Sequence, residues 1–405
     1  MIANSALKRR FVYLVEKPFS NRDAQRFGIQ TVVANGFIAE VWDVGLLCSP
    51  KYPRDNRFSE DVNIRIFRNF DDLKCALKDL HPDDVLLGLV GMSIEQAWAY
   101  RRLRAAIFNS EATLATITNG HSPFDRWDTL WDKAKHVCSM SCSRLLRVRH
   151  GVNLILNELK LNVGNCMTLL NQRKLDYVFA GASVMGVDRL LVGSNTQVFT
   201  IHSLDTDILL HSDRKSDSSK KHDHIVYLDS LGPLHPELKA YQLEFGLETS
   251  DFYSSNVRCL LHLQALLGKP CVVAAHPRAN QGQLDEYFSP IKVFYNQTAQ
   301  LVANSACVVA EPSMSLGMAA WFDKPAIILW NNDLADWNKQ MIIDFRDALG
   351  CAVWDVNDQT TWETPTVDKE RYEMYRSSYM KQPGSINKPF WQAVCDEVLS
   401  KSLVQ

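Results

Sequence analysis

Short, unbroken apolar runs that stop abruptly at polar turns constrain this chain more than any other feature. Val85–Val90 reads VLLGLV, and a strand without polar alternation has to be covered on both faces. Phe11–Val15, Phe37–Trp42, Ala112–Ile117 and Leu175–Ala180 are further strand-like runs. Between them lie segments of helical period, Asn21–Asn35 with Gly36 as a stop signal and Ile94–Ile107 with Ser93 as a cap. Strand and helix in alternation predict an α/β fold, a parallel sheet with helices on both sides. A second alternating unit follows. Its strands are Ile225–Leu228, Cys271–Ala275, Lys292–Phe294, Cys307–Ala310 and Ala326–Leu329; a further strand, Val198–Ile201, stands before them. Its helices are Ser250–Leu267, Thr298–Asn304, Ser313–Phe322 and Asn338–Ala348.

With 405 residues and roughly 150 residues per domain, two such units fit the length. The first domain is placed at residues 1–190, with a helical insertion at about 125–174. The second is placed at 191–385, and a final helix at 386–405 is expected to return toward the first domain. DRKSDSSKKHD, between Ser212 and His224, has no apolar residue and reads as a surface loop. Forty-four Lys and Arg against 46 Asp and Glu give a net charge of -2, so the surface is not built to neutralise nucleic acid. No apolar run reaches the ~18–20 residues of a membrane helix. Met1–Arg10 is basic, but Glu16 and Lys17 end the apolar run behind it too early for a signal peptide. The expectation is a cytoplasmic protein. The ten cysteines sit mostly in apolar segments without a Cys-x-x-Cys pair, as buried thiols do; Cys138 and Cys142 share a helix face and have no partner pair for zinc.

Three strand ends carry polar residues suited to chemistry. Cys271–Ala275 runs into His276-Pro277-Arg278; ligands collect at the carboxyl ends of parallel strands, and proline fixes the backbone behind the histidine. Cys307–Ala310 runs into Glu311-Pro312-Ser313-Met314-Ser315, where a helix start can cap itself or receive an anion. The His276 and Ser313 turns, about 35 residues apart, are expected side by side on one sheet edge. Ile225–Leu228 runs into Asp229-Ser230 ahead of a Gly-Pro turn, a place where Asp commonly serves the turn itself. His202-Ser203, Asn119-Gly120-His121-Ser122 and Asn296-Gln297-Thr298 end or begin other elements. No dinucleotide fingerprint, Walker loop or nucleophile elbow occurs. Asp205-Thr206-Asp207 is the one spelling of a carboxylate metal handle, and it reads as a turn rather than a metal site.

His276-Pro277 followed by the serine-rich start at Ser313 and Ser315 resembles the paired motifs of bacterial sialyltransferases and Kdo transferases. The segment PFSNRDAQRFGIQTVVANGFIAEVWDV also looks like the start of surface-carbohydrate biosynthesis proteins. The nearest resemblance is to the retaining β-Kdo transferase module of lipopolysaccharide O-antigen assembly, over nearly the whole chain. It implies a GT-B fold, two Rossmann-like domains facing a central cleft with C-terminal helices packing across. It implies CMP-β-Kdo as donor, no metal and no other cofactor, and a saccharide acceptor that is lipid-linked and met at the cytoplasmic face of the inner membrane. The Trp127–Arg149 stretch, with Trp131, Lys133, Lys135, Arg144 and Arg147, would suit an anionic surface there. Further domains of a longer chain are compatible with it.

The resemblance also implies roles. Asp229 is the nucleophile of a double displacement, Glu158 the base that deprotonates the acceptor, and His262 a partner of Asp229 or of the sugar carboxylate. His276, Pro277, Arg278, Glu311, Ser313, Ser315, Ser230 and Thr298 bind the donor, and His121, His202 and Ser203 lie on the acceptor side. Two rival readings stay open: an inverting sialyltransferase-like enzyme with Asp229 or Glu158 as base, and a non-catalytic sugar-nucleotide-binding module.

Overall fold

A computed structural model describes residues 8–50, 52, 62–92, 100–118, 123, 173–182, 187, 191–210, 223–241 and 243–400. Glu158, His121, the proposed insertion, the Trp127–Arg149 stretch, Cys138, Cys142 and most of the 212–224 loop lie outside these residues. Two parallel sheets make up the fold. The first has seven strands in the order β3-β2-β1-β4-β5-β6-β7. They are β1 Arg10–Val15, β2 Ile38–Asp43, β3 Asn63–Ile66, β4 Val85–Gly88, β5 Thr113–Thr118, β6 Tyr177–Gly181 and β7 Gln197–Ile201. The second has six in the order β10-β9-β8-β11-β12-β13. They are β8 His224–Leu228, β9 Cys271–Ala274, β10 Lys292–Phe294, β11 Ser305–Ala310, β12 Ala326–Trp330 and β13 Ala352–Asp355.

Central strands follow from their sequences. In β8, Ile225 and Tyr227 enter the core under the helix Thr249–Leu267, and Val226 and Leu228 enter the core on the opposite face. β1 divides in the same way, Phe11, Tyr13 and Val15 to one side and Val12 and Leu14 to the other. β3 and β13 were not expected from the sequence. Both are four-residue edge strands, NIRI and AVWD, and β3 is mostly exposed.

The helix expected over Asn21–Asn35 is two helices, Asn21–Arg26 and Ile29–Ala34, parted at Gly28. Gly28 has φ +57°, and a Cβ there would lie 2.2 Å from Cγ of Trp391. Trp391 comes from the last helix, Phe390–Ser400, whose Phe390, Val394 and Val398 complete the core of the first sheet with Phe11 and Tyr13. The Trp391 indole N–H also donates to the Arg26 carbonyl at 2.8 Å. The serine-rich start is a 3-10 turn, Met314–Leu316, before a five-residue helix, Gly317–Trp321, rather than one helix from Ser313. Five cysteines, Cys259, Cys271, Cys307, Cys351 and Cys395, are buried thiols, and Cys75 is exposed. Among the described residues no helix is long and apolar enough to cross a membrane.

Candidate active site

In the second sheet the chain runs outward from β8 to β9 and β10, then returns to the other flank of β8 as β11. The carboxyl ends of β8 and β11 therefore bound the crevice where open parallel sheets bind ligands. Asp229 and Ser230 leave β8 there, and Glu311, Ser313 and Ser315 leave β11. His276 leaves β9, so β8 separates the His276 and Ser313 turns that were expected side by side. Asp229 stands between them.

Asp229 is 6% exposed. One carboxylate oxygen accepts the Leu231 N–H at 3.2 Å, and the other accepts the His276 N–H at 3.2 Å. Burial raises its pKa to about 6, against the opposing pull of those two bonds. Glu311 is buried deeper. Its Oε1 accepts from the Tyr227 hydroxyl and from Nδ2 of Asn256 at 2.8 Å, and its Oε2 from the Ser230 hydroxyl at 2.9 Å. Burial, helped by Asp229, pushes its pKa to about 7 although the hydroxyls favour the charged form. Oε1 of Glu311 thus takes two bonds and Oε2 one within the protein. Ser313 caps its own turn, accepting the Ser315 N–H at 3.3 Å, and the two serine hydroxyls lie 2.9 Å apart.

His276 accepts the Arg278 N–H on Nδ1 at 3.2 Å. Burial, then His235, Arg22 and Arg278, lowers its pKa to about 3. A neutral imidazole with an accepting Nδ1 carries its proton on Nε2, so His276 is a neutral N–H donor. His235 meets it edge-on with ring centroids 5.5 Å apart and is built the same way, Nδ1 accepting the Glu237 N–H at 3.3 Å. His81 accepts the Asp83 N–H at 3.2 Å. All three are His-Pro sequences, so the dipeptide alone makes a turn, and position decides whether it does more. His81 precedes β4, at the amino edge of the other sheet. His235-Pro236, spelled like His276-Pro277, passed unnoticed in the sequence.

The first domain contributes cations across from this edge. Lys17, just beyond β1, pairs with Glu237, and Arg278 approaches the same carboxylate at 3.8 Å. Burial alone would raise the pKa of Glu237, but Lys17, His235 and Arg278 hold it below the usual value. Burial, with Arg26 and Arg278 nearby, lowers the pKa of Arg22.

Other expected residues fall elsewhere. His202 is fully buried, its Nδ1 on the Ser203 carbonyl at 3.0 Å and its Nε2 on the Lys388 carbonyl and Asp207 at 3.1 Å each. Burial alone would lower its pKa, yet Asp207 and the two carbonyls raise it. Both nitrogens are occupied within the protein, Nε2 joining the distant segment at Lys388, which leaves none for an acceptor. The Ser203 N–H donates to the Met380 carbonyl at 2.7 Å, and its hydroxyl lies 2.8 Å from that of Thr206. Asp205 pairs with Arg26 at 3.2 Å, and Asp207 accepts the Phe390 N–H at 3.0 Å. His262 is exposed and packs edge-on against Trp362 at 4.8 Å, with no contact to Asp229 among the described residues. Thr298 follows β10, the outer strand, two strands from β8.

No family model matches the chain, and no curated protein matches it. Solved structures do. A variant of the wall teichoic acid polymerase TagF aligns over 98% of this chain and 91% of its own at 9% identity, with a TM-score of 0.50. The calicheamicin glycosyltransferase CalG4 aligns over 97% and 98% at 11% identity, TM-score 0.49. The UDP-GlcNAc 2-epimerase of Methanocaldococcus jannaschii aligns over 97% and 99% at 12% identity, TM-score 0.43. The two parallel-sheet domains, with the last helix crossing back to the first of them, have the GT-B-like architecture.

Proposed function

We propose that this chain is a glycosyltransferase whose donor is a nucleotide-activated sugar, CMP-β-Kdo on the resemblance described above, and whose acceptor is a saccharide, lipid-linked at the inner membrane. One observation carries the reading. At the carboxyl edge of the second sheet the neutral Nε2–H donor of His276 stands with Arg278, opposite Lys17 and Arg22 of the first domain. Such an edge can bind the donor phosphate and offset the charge that develops as the nucleotide leaves.

Asp229 is tied to this edge through the His276 N–H, which it accepts at 3.2 Å. In a retaining reaction it attacks the ketosidic carbon, the bond to the CMP phosphate breaks, and the acceptor hydroxyl, deprotonated by Glu158, displaces Asp229 in turn. Each of its oxygens keeps a lone pair beyond the bond it accepts. A pKa of about 6 equally suits a general base, which favours the inverting reading as the alternative. The test is calorimetry with CMP, followed by turnover with CMP-Kdo and NMR of the product anomer. Micromolar CMP binding and retained configuration support the first reading, and inversion transfers Asp229 to the second. Absence of CMP binding together with absence of turnover would sink both.

A further inference from the structure

We propose that Glu311 is a positioning residue for His276, acting through Ser230 and the turn Asp229–Gly232 without touching ligand. The inference rests on the reading that His276 meets the donor. The chain of contacts is continuous. Glu311 fixes the Ser230 hydroxyl at 2.9 Å, and that oxygen accepts the Gly232 N–H at 3.3 Å. Between them Leu231 has φ +65° and Gly232 φ +42°. Left-handed backbone at a leucine is strained and persists only where its surroundings over-determine it.

Two clamps supply that determination here. Ser230 holds Gly232, and Asp229 holds Leu231. The second oxygen of Asp229 then takes the His276 N–H at 3.2 Å, so the position of the histidine turn is inherited from the turn after β8. Glu311 is itself held from two more elements, by Tyr227 of β8 and by Asn256 of the helix Thr249–Leu267. A polar Asn on the buried face of that helix has no packing reason to be there, and anchoring Glu311 supplies one.

The test uses the full chain with Glu311→Gln, Ser230→Ala and the double variant. Glu311→Gln keeps the shape, and thermal melts establish that each variant is folded at the temperature used. CMP affinity by calorimetry should fall about tenfold in each single variant, as loss of a buried hydrogen bond does. The double variant should be no weaker than the weaker single one, because both cut the same bond. A residue that only stabilises the fold would lower the melting temperature and leave the affinity of the folded protein unchanged; that result overturns the proposal, as does additivity. A second readout needs no ligand. With 15N-labelled histidine, the His276 amide should shift and exchange faster in both single variants. An unchanged amide overturns the proposal even where CMP binds, and a wild type that ignores CMP overturns the donor-site reading while the amide still decides the role of Glu311.

Discussion

His276 has exchanged charge for placement. Its imidazole stays neutral down to about pH 3, so its hydrogen bond to an anionic phosphate is charge-assisted from the acceptor's side alone, worth about 1.5–3 kcal/mol. His276→Ala should weaken CMP about ten- to hundredfold by calorimetry, while His81→Ala, which alters an equivalent turn at the amino edge of the other sheet, should leave it unchanged. The pH dependence has a definite sign. A histidine with a lowered pKa keeps its Nε2–H donor at every pH above about 3, so protonation of His276 contributes nothing to binding between pH 5 and 8. If CMP binding strengthened on acidification through 6.5, and His276→Ala abolished that gain, the ring would be cationic in the complex. The sequence showed the His-Pro turn at this strand end. It did not show the charge state, because His235 and Arg22, which help to set it, lie 41 and 254 positions away.

The break at Gly28 shows how an element can be legible in type and wrong in shape. Apolar periodicity runs through Asn21–Asn35, yet the backbone turns left-handed at Gly28 because Trp391 lies against it. Gly28→Ala adds strain at positive φ and a clash with a ring that cannot retreat. It should destabilise the protein by ~2–4 kcal/mol, read as a lower denaturation midpoint with an unchanged slope. Trp391→Ala should cost ~3–5 kcal/mol through the cavity it leaves among Phe11, Tyr13 and Phe27. Central strands were readable because burial on both faces writes a continuous apolar run. The edge strands β3 and β13 were not, since four half-exposed residues carry too little pattern to stand out from loop. The break at Gly28 was hidden for another reason: its cause is 363 residues along the chain.

Across the whole molecule, the candidate site draws on two sheets, and the sequence did not announce the cations beside the first of them. Asp229, His276 and Ser313 were found because each ends a recognisable strand. Lys17 and Arg22 were not, since charge beside the first strand reads as surface until the second domain is set against it. These cations give a test at this scale. Lys17→Ala and Arg22→Ala should each weaken CMP severalfold although neither belongs to the second sheet. Wild-type affinity should also fall as salt rises from 0.05 to 0.5 M, as expected of ~10 Å screening at 0.1 M. Salt-independent binding would place the nucleotide elsewhere. The crossing of the last helix has a consequence for synthesis. On the ribosome, β1 to β7 emerge well before Phe390–Ser400, so the first sheet leaves the exit tunnel with Phe11, Tyr13 and Phe27 uncovered. It must wait through the making of the entire second domain for the ring that closes it, and during that interval its apolar face is open to chaperones or to aggregation.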